Sequence, residues 1–179
     1  MKFCSNCASP VAHRVPPGDS LPRYVCDQCG EIHYQNPRMV VGTIPEWQGR
    51  LVLCRRAIEP RYGYWTLPAG FMENDETVAE GAMRETLEEA GARIAMAEAF
   101  SMISVPRVNQ VHVFFRARVV DLEFRPGAET LEVSLFEEKQ IPWKDIAFRT
   151  VSLTLEHWFA DRGKGTFDFH VAEIPPRQP

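Results

Sequence analysis

The chain has 179 residues, of which 45% are hydrophobic, and a formal net charge of −4. This length and apolar content suffice for one sizeable domain with a small appendage and argue against disorder. The negative charge argues against a general polyanion binder, which normally shows a basic stripe or patch. The start, MKFCSNCASPV, lacks the apolar stretch of a secretion signal, and no run approaches the roughly 18 apolar residues of a membrane span. We therefore expect a cytoplasmic protein with no membrane contact.

Two CxxC pairs lie near the start of the chain. Cys4 and Cys7 are followed, after eighteen intervening residues, by Cys26 and Cys29, a spacing in the range of four-cysteine zinc sites. A segment of about 35 residues cannot bury enough surface to fold alone, so a bound ion would supply the missing free energy, on the order of 10 kcal/mol. Because four thiolates leave no open position for water or substrate, we predict a zinc ribbon with a structural ion over residues 1–36.

Two other interpretations of these cysteines stay open. One is a redox dithiol, although such motifs usually occur once and near a βαβ pattern. The other is a module that binds nucleic acid, which the charge disfavours because basic and acidic side chains balance in residues 1–36. These side chains are Lys2, Arg14, Arg23, Asp19, Asp27 and Glu31. Nucleic acid is therefore not the expected partner. The fifth cysteine, Cys54, lies in the apolar run LVLC and is expected to be a small buried side chain.

From residue 37 to residue 179 the pattern changes to interleaved strands and helices. The runs MVVGTIPE and RLVLCRR, separated by WQG, predict a hairpin of two strands. The loop RYGYWTLPAGFMEND precedes a helix that is predicted from about Thr77 to Ala90 and ends at Gly91. A strand at VHVFFRARVV, an acidic loop, a strand at VSLF and a helix from Val151 to Ala160 follow. This order indicates an α/β domain with a mixed sheet.

The first predicted helix carries three glutamates on neighbouring turns. Like charges three and four residues apart repel by about 0.2–0.5 kcal/mol per pair, and Glu85, Glu88 and Glu89 have this spacing. Hard divalent cations such as Mg²⁺ bind carboxylates and substrate phosphates together, so a bound metal would offset the repulsion. The alternative is a solvated acidic face on which Arg84 pairs with Glu88. The acids are expected off the apolar stripe of the helix, which is formed by Val78, Ala79, Ala82, Met83 and Ala90.

The segment from Gly70 to Ala92 resembles the Nudix box. That motif reads Gly, five residues, Glu, seven residues, then Arg-Glu-apolar-any-Glu-Glu-any-Gly-apolar. The charged and glycine positions match at Gly70, Glu76, Arg84, Glu85, Glu88, Glu89 and Gly91. Thr86 stands where the family usually has a larger aliphatic residue, at a packing position. The resemblance implies a Nudix α/β/α sandwich with a mixed sheet, preceded by the small zinc ribbon.

The resemblance also implies roles for individual residues. The glutamates that match the metal ligands of the family, here Mg²⁺ or Mn²⁺ ligands, are Glu85, Glu88 and Glu89. The arginine that orients one of these acids matches Arg84, and the glycine that shapes the loop before the helix matches Gly70. By the same resemblance, Glu76 supports this loop.

A general base is needed to take a proton from the attacking water. One candidate is a box glutamate, Glu85 or Glu88. The other lies in GAETLEVSLF, where we expect Glu129 and Glu132 on the loop before a strand and favour Glu132. The predicted catalytic residues are therefore Arg84, Glu85, Glu88 and Glu132.

Residues near the box are candidates for substrate contacts. We predict that Gly70, Arg56 and Phe71 bind the substrate, with the arginine on phosphate and the phenylalanine on a ring. Core packing and solvated surface are the alternatives for the aromatic and basic side chains, respectively. Further candidates of these two kinds are Tyr62, Tyr64, Trp65, Phe115, Arg55 and Arg107.

The zinc ribbon ahead of the box resembles the NADH pyrophosphatase branch of the family, but the Ser-Gln-Pro-Trp motif of that branch is replaced here by SMISVPRVNQVH. The whole chain is similar to a zinc-ribbon group that includes a plant FAD and ADP-ribose pyrophosphatase. The resemblance implies metal-dependent hydrolysis of the diphosphate bridge of a nucleoside diphosphate derivative, releasing AMP, with FAD or ADP-ribose favoured over NADH. The alternative is a non-catalytic nucleotide sensor or RNA-associated adaptor. Family members are often homodimers, so a homodimer is a further expectation.

Overall fold

The computed structural model describes residues 1–175 of the 179. The chain forms two compact units, divided between Pro37 and Arg38, one residue after the predicted boundary. The predicted second domain extends to residue 179, and its last four positions, 176–179, lie outside the described residues.

The first unit is a small antiparallel sheet with two cysteine-containing turns. Its strands are β1 (Val11–Arg14), β2 (Arg23–Cys26) and β3 (Ile32–His33), paired in that order. This unit has almost no apolar core, since its buried side chains are Cys4, Pro16, Val25 and Cys26. Burial of apolar side chains therefore contributes little to the stability of this unit.

The second unit is built on an 8-stranded sheet. Its first two long strands, β4 (Arg38–Trp47) and β5 (Arg50–Arg56), pair antiparallel and confirm the predicted hairpin. Gln48 and Gly49 both have positive φ, as a two-residue turn between twisted strands requires. The other strands are β6 (Trp65–Thr66), β7 (Ala69–Phe71), β8 (Ile94–Val105), β9 (Gln110–Val119), β10 (Thr130–Phe136) and β11 (His170–Glu173).

The sheet order is β10-β5-β4-β9-β8-β11, with β6 beside β5 and β7 beside β4. The pairs β4–β9 and β8–β11 are parallel and the others antiparallel, so the sheet is mixed as predicted. Neither β8 nor β11 is predicted from the sequence, and β6 and β7 lie in the segment RYGYWTLPAGFMEND, whose prediction as a loop is wrong at these two short strands. β10 begins at Thr130, three residues before the predicted strand. Glu132 therefore lies within a strand, and its expected place on the preceding loop is wrong.

The first helix, α1 (Val78–Ala90), confirms the predicted helix. At its start, the side-chain oxygen of Thr77 accepts a hydrogen bond from the Glu80 N–H, and the Glu80 carboxylate accepts one from the Thr77 N–H. This reciprocal pair is a capping box. At its end, Gly91 has a φ of 62°, the left-handed conformation that glycine adopts without strain.

The second helix, α2 (Arg149–Lys164), extends beyond the predicted Val151–Ala160 at both ends and covers the other face of the sheet. Successive side chains of β5 point to opposite faces of the sheet and so contribute to two different hydrophobic clusters. Leu51 and Leu53 pack in a cluster with residues of α2, whereas Val52 and Cys54 pack with residues at the end of α1. Helices on both faces of a mixed sheet confirm the predicted sandwich. Within residues 1–175, no helix combines the length and the apolar character needed to cross a bilayer.

A buried carboxylate connects α2 to the segment that follows it. Asp161, whose side chain is 1% exposed, accepts hydrogen bonds from the Asp168 N–H at 3.0 Å and from His170 Nε2 at 2.7 Å. Lys164 Nζ lies 3.3 Å from the same carboxylate. Burial acts to raise the pKa of Asp161, but the hydrogen bonds outweigh it and lower this pKa to about 2.

We expect Asp161 to stabilise the fold at neutral pH and to lose this effect in acid. Its folded pKa lies below the ordinary value of 3.8, so its contribution is complete above that value and declines as the pH falls towards 2. Urea titrations should show that the free energy of unfolding falls by about 2 kcal/mol more between pH 5 and pH 2 in the unmodified protein than in Asp161→Asn. An equal pH dependence in the two proteins would contradict this role.

Candidate active site

The loop before α1 and the helix itself bring the box residues together. Gly70 lies on β7, and a Cβ built on it would collide with the carboxylate of Glu85. A Cβ on Gly81, in α1, would lie 2.5 Å from a carboxylate oxygen of Glu76. At both positions the absence of a side chain therefore leaves the space that an acid occupies.

Arg84 lies at the centre of the acidic cluster. Its guanidinium donates to Glu76 from Nε and Nη2, both at 2.9 Å, to Glu85 at 2.8 Å and to Glu88 at 3.2 Å. It also donates to the carbonyl oxygen of Phe71 at 3.1 Å. These bonds lower the pKa of Glu76 to about 2 and raise that of Arg84. Arg84 therefore connects the box loop to two acids of the helix, and its pair with Glu88 is one contact of several.

Glu85 and Glu89 are the acids of this cluster that are least exposed to solvent. The side chain of Glu85 is 12% exposed, and Glu89 is 8% exposed. Burial raises the pKa of Glu85 and also that of Glu89, to about 7. The Ala69 N–H donates to Glu89 Oε2 at 3.0 Å and fixes its orientation. The expectation that all three glutamates lie off the buried stripe is wrong for Glu89, because β7 packs beside it, and Met83, expected on that stripe, is 37% exposed.

The donor set fits a hard divalent cation in its chemistry. Glu85, Glu88 and Glu89 have helical spacing that places them along one side of α1, and carboxylate oxygens are the ligands that Mg²⁺ and Mn²⁺ prefer. Their present partners differ, since Glu85 and Glu88 accept from Arg84 and Glu89 accepts from the Ala69 N–H. The structure thus brings the three acids to one region without directing their oxygens to a single point.

Glu129 influences this cluster more than Glu132 does. Its charge contributes to the raised pKa values of both Glu85 and Glu89. Its backbone carbonyl accepts from the Ala57 N–H at 2.8 Å, which places Glu129 beside the end of β5. Sequence reasoning includes Glu129 but ranks it second.

Glu132 lies opposite Arg55 in the register of β10 and β5. Its carboxylate is 3.8 Å from the Arg55 guanidinium and accepts from the Ser134 hydroxyl at 3.0 Å. The side chain is 50% exposed. These contacts are those of a surface carboxylate on a strand.

The predicted substrate contacts lie at the edge of the cluster. The charge of Arg56 acts to lower the pKa of Glu89, which places the guanidinium near the acids, and its Nε donates to the Pro60 carbonyl at 3.0 Å. Phe71 is 45% exposed, and the guanidinium of Arg38 lies 4.4 Å from the centre of its ring. Sequence reasoning misses Arg38, because only the pairing of β4 with β7 brings it beside Phe71.

Gly70→Ala is expected to lower kcat/KM for the diphosphate hydrolysis that the motif implies by about a hundredfold, with little change in the melting temperature of the protein. The added methyl would displace the flexible side chain of Glu85, and a displacement of about 1 Å at a reacting site costs on the order of a hundredfold in rate. Steady-state kinetics and thermal melting measure the two effects.

Gly163→Ala is the matched control for this substitution. Its Cβ would meet nothing within 4 Å, and it lies in α2, so we expect unchanged activity and a gain in stability of about 0.5–1 kcal/mol. Full activity in Gly70→Ala would show that hydrolysis does not depend on the position of the Glu85 carboxylate.

The four sulfurs of the CxxC pairs converge in the first unit. All lie within 4.8 Å of one another, with 3.7 Å between Cys4 and Cys29 and 3.4 Å between Cys7 and Cys26. Sulfur ligands at about 2.3 Å from a tetrahedral ion are about 3.8 Å apart, so the cluster has the dimensions of a zinc site. Hydrogen bonds from Ser9 lower the pKa of Cys7 to about 6 and favour its thiolate. None of these cysteines forms a disulfide.

The sequence matches two family descriptions in succession. The zinc-ribbon family described as Nudix N-terminal matches residues 2–35, and the NUDIX domain matches residues 36–159. The chain belongs to the Nudix family. This Nudix chain also resembles a solved structure over nearly its whole length, the NUDIX hydrolase from Nitrosomonas europaea, with a TM-score of 0.95 and 53% identity. That match covers 97% of this chain and 99% of the other. The predicted family and its class of enzyme, the Nudix hydrolases, are thus confirmed.

Two named relatives of this Nudix chain differ in substrate. The NAD-capped RNA hydrolase NudC of Chromobacterium violaceum is 33% identical over 73% of this chain and 48% of its own length. The ADP-ribose pyrophosphatase of Methanocaldococcus jannaschii is 29% identical over 61% of this chain and 67% of its own. The chain therefore spans about half the length of NudC. Because the name of NudC includes RNA, the expectation that nucleic acid is not a partner has no support from the comparisons.

Proposed function

We propose that the chain is a metal-dependent pyrophosphohydrolase that cleaves the diphosphate bridge of a nucleoside diphosphate derivative and releases AMP. The observation that carries this proposal is the cluster in which Arg84 connects Glu76, Glu85 and Glu88 beside the buried Glu89. ADP-ribose is the favoured substrate, because NAD and ADP-ribose, which the names of the two relatives contain, share an adenosine diphosphate joined to ribose. FAD contains the same adenosine diphosphate and stays a predicted substrate.

The acids of α1 have the role of metal ligands in this proposal. An Mg²⁺ or Mn²⁺ ion bound by Glu85, Glu88 and Glu89 would polarise the phosphoryl oxygens and neutralise charge that develops in the reaction. Arg84 holds Glu85, and the Ala69 N–H holds Glu89. These bonds restrict the orientation of the two carboxylates.

The remaining residues position water and substrate. Glu129 is the proposed general base, in place of Glu132, because its charge acts on both buried acids. Arg56 is proposed to bind a phosphate as a charge-assisted donor. The exposed ring of Phe71, with Arg38 on it, is proposed to stack on a base of the substrate.

NAD-capped RNA is the second candidate substrate, favoured by the similarity to NudC. Its cap presents the same diphosphate bridge, so the same cluster would act on it. The alternative of a sensor or adaptor without catalysis predicts binding without turnover. We also propose that Cys4, Cys7, Cys26 and Cys29 hold a structural zinc ion in a ribbon of residues 1–36, with the hydrolase domain at residues 37–179. A homodimer and a cytoplasmic location stay predictions.

The test is an analysis of reaction products by chromatography. Purified protein with Mg²⁺ or Mn²⁺ is incubated separately with ADP-ribose, FAD, NADH and a short NAD-capped RNA. Release of AMP from the small substrates, or of nicotinamide mononucleotide from the RNA, supports hydrolysis if Glu88→Gln is inactive. Binding without turnover of any of them would favour the sensor. Turnover in Glu88→Gln equal to that of the unmodified protein would contradict the proposed cluster.

A further inference from the structure

A cavity of about 340 Å³ lies on the α2 face of the sheet, within the range of small-molecule sites, about 300–1,000 Å³. Ile44 and Glu46 of β4 line it, together with Trp158 of α2. On the same strand Thr43 points the other way, since its hydroxyl lies 2.6 Å from that of Thr86 in α1. The sheet therefore separates this cavity from the helix that carries the proposed metal ligands.

Strand β8 has a bulge beside this cavity. The register with β9 shifts between Met96 and Ala99, so Ala97 and Glu98 have no strand partner where they pass Arg116. Ala97 and Arg116 both line the cavity. Bulges of this kind redirect side chains and are enriched beside functional sites.

Three arginine residues line the cavity, Arg116, Arg118 and Arg162. Arg116 lies 3.5 Å from the ring centre of Phe167, and its ion pair with Glu98 is long, at 3.7 Å. Arg118 is exposed and forms no ion pair with any residue in positions 1–175. Two of the three cations are therefore poorly neutralised by the protein, which favours an anionic ligand.

The other walls restrict the kind of anion. Arg162 is held by the Gly49 carbonyl at 2.8 Å and by Glu138 at 2.7 Å, so it forms a fixed part of the wall. Glu46 accepts from the Gly49 N–H and presents a carboxylate, which accepts hydrogen bonds from hydroxyl groups. Ile44 and Trp158 add an apolar surface. A phosphate, hydroxyl groups and a small carbon framework are the chemistry that these walls complement.

We propose that this cavity binds a sugar phosphate, with the phosphate on Arg116 and Arg118 and the sugar hydroxyls on Glu46. The site lies on the opposite face of the sheet from the proposed hydrolytic cluster and does not depend on hydrolysis.

The test uses the full chain with alanine methyl groups labelled for NMR. Ribose 5-phosphate is the probe, without added divalent cation. We expect it to shift the methyl signal of Ala97, and we expect its affinity to fall by tenfold or more in Arg118→Gln, because a charged hydrogen-bond partner of the phosphate is lost. Arg93→Gln is the matched control, since Arg93 is a 70% exposed arginine outside the cavity, and it should bind like the unmodified protein.

Several results would overturn the site. Shifts confined to Ala69 and Ala82, which lie beside the acidic cluster, would place the probe there instead. An unchanged affinity in Arg118→Gln would remove the phosphate contact. Equal affinity for inorganic phosphate and ribose 5-phosphate would contradict the role of Glu46. Hydrolytic activity in Arg118→Gln is expected to equal that of the unmodified protein, so the two proposals can fail separately.

Discussion

Glu88→Gln is expected to reduce hydrolysis of the preferred substrate by about a thousandfold while leaving the fold intact. The substitution removes the charge of a proposed metal ligand, and a thousandfold loss corresponds to about 4 kcal/mol of transition-state stabilisation. The side chain is 59% exposed and pairs with Arg84, at 3.2 Å, and an exposed pair contributes about 0–1 kcal/mol to stability. Kinetics at saturating Mg²⁺ or Mn²⁺ and a thermal melt give the two values.

Glu80→Gln is the matched control on the same helix. It removes the same charge but keeps the capping box with Thr77, because glutamine also serves at this position. Activity near that of the unmodified protein is expected. A loss in Glu80→Gln as large as that in Glu88→Gln would indicate a general effect of helix charge and not a ligand role.

Cys26→Ser is expected to remove bound zinc and unfold the first unit. Cys26 is fully buried in a unit that has little other core, and structural zinc contributes on the order of 10 kcal/mol to such folds. Metal analysis should show loss of zinc. Hydrogen exchange should show loss of protection over residues 1–37, with residues 38–175 still protected, since these are separate compact units.

Cys54→Ala is the control for the loss of a buried cysteine. Cys54 is 1% exposed, and burial raises the pKa of its thiol well above the ordinary value. It lies in the core of the second unit, outside the four-sulfur cluster. We expect full zinc content with a lower melting temperature. Stoichiometric zinc in Cys26→Ser, or unchanged protection over residues 1–37, would contradict the structural role.

Local signals account for the elements that sequence reasoning predicts well. Thr77 and Gly91 bound α1 because capping depends on neighbouring residues only. The strand β8 is different. Its sequence, IAMAEAFSMISV, is rich in alanine and lacks a clean alternation, and it is extended because β9 and β11 pair with it on its two sides. Such pairing between distant segments is not visible in a local pattern.

The candidate site likewise has features that a local pattern predicts and features that depend on contacts between distant segments. The spacing of the box indicates which acids share a side of α1, but the burial of Glu89 depends on β7, through the Ala69 N–H. The place of Glu129 depends on contact with the end of β5. The position of Arg38 on Phe71 likewise requires the pairing of two strands. Each of these features joins residues that are far apart in the chain.

A buried pair of hydroxyl groups beneath α1 connects the helix to β4. Thr86 donates to the Ala82 carbonyl at 2.7 Å, so it accepts the hydroxyl hydrogen of Thr43 at 2.6 Å. Both threonines are fully buried. An aliphatic residue at Thr86, which is usual in the family, would leave the Thr43 hydroxyl without this acceptor, at a cost of about 1–3 kcal/mol. Relatives are therefore expected to change the two positions together, with an apolar residue at one accompanied by an apolar residue at the other.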